Sequence, residues 1–287
     1  MIKLITDSAC DIPKEELEHY NISLLSVPIT VDGVTYREGV DFTAEEYYDI
    51  LVNAKAIPTH AQVTMMEFTA EFKRQIALGY HELICITITS KGSGMNDAAN
   101  LAKQQLFEEQ PQLAAQGVTI DVVDSMTYSY VYGQAILEAA KAVQAGKTRQ
   151  EVVALLHYRL EHYFAIVGLT NLTYAKKSGR ITTVAAFVGE VMGFRPILTV
   201  QEGILETIAK VRGDSKLIDG ICERYRSQAA ENGEPYYIIC ADSMDNAKLL
   251  QKKLQQQTKN PFGGYHRIGP SVTTNAGPTI FGVVAPK

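Results

Sequence analysis

A candidate anion-binding stretch stands out at Lys91-Gly92-Ser93-Gly94. This stretch follows the apolar run Leu83-Ile84-Cys85-Ile86-Thr87-Ile88 and precedes small or apolar positions at helical spacing, Ala98, Leu101, Ala102 and Leu106. Where a strand end meets a helix start, unpaired backbone N–H groups and the helix dipole favour an anion. Ser93 adds a hydroxyl donor, so a carboxylate or a phosphate would fit. Turns also use Gly and Ser for their own geometry, so a structural turn and an anion site explain the loop equally well. Ser93 as a nucleophile would need a base, for which His60 is the candidate, and a carboxylate in reach. Gly92-Ser93-Gly94 lacks the G-x-S-x-G elbow, so a serine-dependent acyl hydrolase or esterase stands as the alternative. No GxxxxGK[ST] occurs, and a third glycine at dinucleotide spacing is missing.

The remaining histidines, His19, His81, His157, His162 and His266, form no HExxH, and His157 and His162 are too far apart to share a helix face. They read as packed or surface residues, and no metal or cofactor is expected. The acid pairs Asp7/Asp11 and Asp41/Glu45 read as turn or cap residues, with Asp7 and Ser8 placed to organise strand-end loops through local hydrogen bonds. Arg180, after Lys176-Lys177, reads as part of a solvated basic turn, or else as a fixed cation near the anion or at a docking face.

Strands and helices around these residues follow from periodicity. Strands are predicted over Ile2–Ile5, Ile22–Ile29, Leu83–Ile88 and Val118–Val123, with helices between them and polar residues at the strand ends. Thr43 and Glu46 form a capping box, and Asp32-Gly33 is a hairpin turn. That alternation implies an α/β domain, residues 1–155, with a parallel sheet and flanking helices. From 156 to 287 strand-like runs at Phe164–Leu169, Pro196–Val200, Ile204–Val211, Tyr236–Ala241 and Phe281–Val284, with a hairpin at Glu202-Gly203, imply an α+β domain with an antiparallel sheet.

The composition sets limits. With 46% hydrophobic and 21% charged residues the chain has ordinary globular character. A net charge of -5 argues against sequence-independent nucleic-acid binding, which needs a basic face. Its four cysteines, Cys10, Cys85, Cys222 and Cys240, form no CxxC pair and read as buried thiols in a reducing compartment. No apolar stretch approaches the ~18–20 residues of a membrane span, and Asp7 and Asp11 come too early for a signal peptide. A cytoplasmic protein without an integral membrane segment is expected, with monomer as the default state.

Several segments in order then resemble the DegV family of bacterial fatty-acid-binding proteins. They are Thr6-Asp7-Ser8-Ala9-Cys10-Asp11-Ile12-Pro13, Pro58 to Thr64, Thr89 to Gly94, Asp124-Ser125, Lys177-Ser178-Gly179-Arg180-Ile181, Lys210 to Asp214 and Thr273-Thr274-Asn275-Ala276-Gly277-Pro278. The resemblance implies a non-enzymatic carrier that holds one long-chain, palmitate-like fatty acid, with its carboxylate at the domain interface and its tail buried in the second domain. It also implies a fatty-acid kinase as partner, which phosphorylates the carboxylate. A small-acid or lipid sensor is a further reading. By resemblance the carboxylate ligands are His60, Ser93, Asn275 and Thr59, with Arg180 as head-group support or docking residue. The sequence departs from the family pattern where it has His60 for a Thr, Ala61 for a Ser, Val63 for a Pro, Met95 for a Thr and Asn275 for a frequent His. An imidazole would thus have moved from the 275 side to the 60 side. A charged His60 would make binding weaken as the ring loses its proton, whereas flat affinity from roughly pH 6 to 9 marks a neutral donor.

Overall fold

The computed structural model describes residues 1–178 and 193–287. In chain order its strands are β1 (Ile2–Asp7), β2 (Ser23–Leu25), β3 (Pro28–Val31), β4 (Val34–Arg37), β5 (Thr59–His60), β6 (Glu82–Thr87), β7 (Thr119–Asp124), β8 (Tyr163–Gly168), β9 (Phe194–Gln201), β10 (Ile204–Arg212), β11 (Tyr236–Cys240), β12 (Phe262–Arg267) and β13 (Phe281–Pro286). They belong to two compact units, Met1–Pro28 with Ala61–Leu160 and Ile29–His60 with Glu161–Lys287. The single break expected near residue 155 is corrected by this division: residues 29–60, though early in the chain, group with its second half.

The first unit carries a four-stranded sheet of order β2-β1-β6-β7 among the described residues, and every pairing in it is parallel. Both β1 and β6 are buried along nearly their whole length. This is why Leu4, Ile5, Leu83, Ile84 and Ile86 read as continuous apolar runs rather than alternating ones. Parallel strands need crossovers, and the helices Met65–Ala77 and Met95–Glu109 supply two of them. The first starts at a complete capping box, Thr64 with Glu67. All the strand C-termini, and the loops after them, therefore lie on one edge of the sheet. The predicted strand Ile22–Ile29 is split into β2 and β3, which join different sheets. Val27 N–H donates to Ser8 Oγ at 2.9 Å, and Pro28 has no N–H to continue a ladder.

The second unit holds a six-stranded sheet of order β10-β9-β8-β13-β11-β12 among the described residues. Its pairings are antiparallel except for β11 with β12, which are parallel and connected through the helix Met244–Gln255. The expected antiparallel sheet is thus mixed at one edge. Glu202 and Gly203, both at positive φ, close the predicted β9–β10 hairpin. Phe164, Ile166, Ile197, Ile238, Phe281 and Val283 pack against Leu217, Ile221, Leu250 and Leu254 of the helices Asp214–Gln228 and Met244–Gln255.

A smaller sheet, β4-β3-β5, belongs to the same unit, as does the helix Ala44–Asn53 with its Thr43/Glu46 capping box. Ile29, Val31, Phe42, Tyr47 and Leu51 form its core. Among the described residues no helix is long and apolar enough to cross a membrane.

Candidate functional site

In the first unit the loop after β6 is held by the aspartates that end its neighbouring strands. Asp7 is fully buried. It accepts from Ala9 N–H at 3.1 Å, from Ile88 N–H at 2.8 Å and from the Tyr132 hydroxyl at 2.7 Å. Burial raises its pKa to about 6 against the pull of those three donors. Asp124 accepts from Ser90 N–H at 3.1 Å and Met126 N–H at 2.9 Å. The role expected for Asp7 and Ser8, organising the strand-end loops, is what the structure displays.

The loop's backbone N–H groups are largely occupied from within. Besides Ser90, Lys91 N–H donates to Thr89 Oγ1 at 3.2 Å, and Gly92 and Ser93 N–H both donate to Thr89 O at 3.1 Å. The reading of this stretch as a turn therefore accounts for those four donors, and the anion reading is left with donors outside them, the Ser93 hydroxyl among them. Ser93 is half-buried. Its oxygen accepts from Met95 N–H at 3.4 Å, and a hydroxyl that accepts still carries a proton to donate. The glycines have a steric purpose. A Cβ on Gly92 would lie 2.5 Å from the Tyr128 hydroxyl, and one on Gly94 would lie 2.4 Å from Gln62 Oε1.

In the second unit Thr59 and His60 form β5, with His60 opposite Ile29 and Thr59 opposite Thr30. Thr59 is exposed, while His60 and Asn275 are half-buried. Asn275 lies on the short helix Pro270–Ala276, which opens on Pro270 and closes at Gly277, where φ is 87°. Tyr47 places its hydroxyl 2.6 Å from Thr274 Oγ1, and Tyr48 donates to Ile268 O at 2.8 Å. Burial pushes the Tyr47 phenol up to about 12, so it stays neutral.

Asn275 and His60 meet directly: Asn275 Nδ2 lies 2.8 Å from His60 Nε2 and donates to Ser271 O at 2.9 Å. Turning the amide over would set Oδ1 against the Ser271 carbonyl, two acceptors facing each other. The amide therefore presents N–H to the imidazole, Nε2 accepts, and the neutral ring carries its proton on Nδ1.

Of the residues named from sequence, His60, Thr59 and Asn275 thus belong to one unit and Ser93 to the other. Arg180 lies outside the described residues. Lys176 and Lys177 are exposed on the helix Thr173–Ser178, as a solvated basic face would be. Two of the departures from the family pattern, Val63 and Met95, are buried. Sequence reasoning missed Glu38, which holds Ser271, and Tyr132, which donates to Asp7. A buried carboxylate in Arg37-Glu38-Gly39 has no local pattern that would reveal it. A tyrosine opening a helix opposite a strand-end Asp was a legible signal.

Comparison with known proteins bears on what this architecture is. The family model described as "Uncharacterised protein, DegV family" matches residues 1–287. A DegV domain-containing protein of Clostridium perfringens (strain 13 / Type A) is 34% identical over 257 residues, covering 89% of this chain and 88% of its own. A stearic acid-binding protein from Eubacterium ventriosum matches with TM-score 0.89 at 22% identity, over 100% of this chain and 98% of its own. A fatty acid binding DegV family protein from Streptococcus agalactiae matches with TM-score 0.86 at 24% identity, over 100% and 98% of the two chains. These structural likenesses establish a shared fold, a parallel α/β unit with a separate mixed-sheet unit. The chain belongs to the DegV family.

Proposed function

We propose that this chain binds one long-chain fatty acid without turning it over and presents the carboxylate to a fatty-acid kinase. The carboxylate ligands in this reading are His60, Asn275, Thr59 and Ser93. The observation that carries it is the hydrogen bond between Asn275 and His60. These are the two positions where family resemblance puts head-group residues and where this sequence departs from the usual types. Departures that contact one another support a retained, rearranged polar site better than independent drift would. Family membership over the whole chain and the fatty acids held by its structural neighbours support the ligand class.

The reading is physically coherent. Burial contributes about 0.8 kcal/mol per CH₂, so an apolar slot suffices for affinity and the head group needs only a few donors. Neutral donors leave the carboxylate nucleophilic, able to attack the γ-phosphorus of a partner's nucleotide as the diphosphate leaves. The chain is expected in the cytoplasm, where such a partner would be.

Native mass spectrometry of the purified protein tests this, and a single intact fatty acid is the expected adduct. Palmitate titration of His60→Ala, Asn275→Ala and Ser93→Ala should each show affinity lower by roughly tenfold, the loss of one head-group hydrogen bond. Affinity of the native chain should be flat from roughly pH 6 to 9, as a neutral His60 requires. Turnover of an acyl ester that disappears in Ser93→Ala would overturn the carrier in favour of a hydrolase.

A further inference from the structure

The carboxylate of Glu38 is 2% exposed, buried in the second unit. It accepts two hydrogen bonds from one residue, Ser271: the backbone N–H at 2.7 Å and the hydroxyl at 2.5 Å. Ser271 lies in the first turn of the helix Pro270–Ala276, where unpaired N–H groups favour a carboxylate. Three links then run in series. Glu38 fixes Ser271, the Ser271 carbonyl accepts from Asn275 Nδ2 at 2.9 Å, and the same amide nitrogen meets His60 Nε2 at 2.8 Å.

From this series we infer that Glu38 is a positioning residue that sets the tautomer of His60. By holding the first turn of the helix, it keeps the Ser271 carbonyl where it orients the Asn275 amide. That amide in turn makes Nε2 an acceptor and leaves Nδ1–H as the ring's donor. The inference rests on the proposed role of His60 and deepens it, because the tautomer decides which ring atom can donate to an acid. A carboxylate in this reading meets an uncharged ring, not an ion pair. In this scheme Glu38 reaches His60 through Ser271 and Asn275.

The test is long-range ¹H–¹⁵N correlation NMR of the full-length, histidine-labelled protein, delipidated, at neutral pH, alongside palmitate titration. His60 should show the Nδ1–H pattern, with Nε2 as the unprotonated nitrogen. Glu38→Ala should mix the two tautomers and weaken palmitate binding roughly tenfold. Glu38→Gln keeps an acceptor for Ser271 N–H and a partner for its hydroxyl, so it should restore the native pattern and affinity. If Glu38→Ala does not fold, Asn275→Asp carries the same test. It sets an acceptor against Nε2 and should move the proton to that nitrogen. An Nε2–H ring in the native protein, or Nδ1–H populations unchanged in Glu38→Ala or in Asn275→Asp, would overturn the inference. Palmitate that fails to bind a protein with the Nδ1–H pattern would instead sink the proposed function and leave the tautomer assignment standing.

Discussion

A carboxyl group with no solvent exposure, three donors and no cation among those donors is Asp7. Its folded pKa, about 6, lies above the ordinary 3.8, so the folded chain holds this proton more tightly than the unfolded one. The stability it contributes is therefore fully present below 3.8 and is lost as pH rises through about 6. Denaturant unfolding across that window should show Asp7→Asn with a flatter pH dependence than the native chain. Above about 6 the variant also loses an acceptor, because an amide cannot accept from three donors without turning N–H toward one of them. A native slope that survives unchanged in Asp7→Asn would assign the titration to another group. At this scale the sequence was partly legible. Asp7 stood out because it ends a strand, and His60 and Asn275 stood out because they break a family pattern. Glu38 did not, since its partner Ser271 is 233 residues away and neither residue belongs to a local motif.

Elements were more legible than contacts. The hydrophobic run at Leu83–Ile88 and the Thr43/Glu46 pair became β6 and a capped helix because local sequence and tertiary environment agree there. Short elements such as β5, two residues long, owe their existence to pairing with Ile29 and Thr30 and have no periodicity to read. The same difference sets the cost of substitutions. Thr64 is exposed and works only through its cap, so Thr64→Ala should destabilise by about 1 kcal/mol. Leu250 is fully buried between the helix Met244–Gln255 and the six-stranded sheet, so Leu250→Ala should cost roughly 2–5 kcal/mol. Urea midpoints rank the two, and equal losses would mean that one of these assignments is wrong.

For the whole molecule, fold class followed from the order of elements, but the grouping of segments did not. Texture changes near residue 155, where parallel crossovers give way to hairpins, and that change is what the sequence displays. Nothing in residues 29–60 announces which half they belong to. Their apolar residues, Ile29, Val31, Phe42, Tyr47 and Leu51, form a core that Tyr174 joins from far along the chain. Limited to residues 1–155, the protein would lack Tyr174 and the helix Pro270–Ala276, which Tyr47 and Glu38 hold by hydrogen bonds. Such a fragment should expose the 29–60 segment to protease while the four-stranded sheet stays protected.

Neither unit is a continuous stretch of chain, and this bears on how the protein is made. As the polypeptide leaves the ribosome, residues 29–60 emerge more than a hundred residues before Tyr174 and the helix Pro270–Ala276, which they contact. Until those partners emerge, the small core of Ile29, Val31, Phe42, Tyr47 and Leu51 lacks Tyr174 and the contact of Tyr47 with Thr274. Assembly of the second unit must therefore wait for β13, which pairs with both β8 and β11. Slow translation or a premature stop would leave a nascent chain prone to clumping, however sound its amino-terminal sheet.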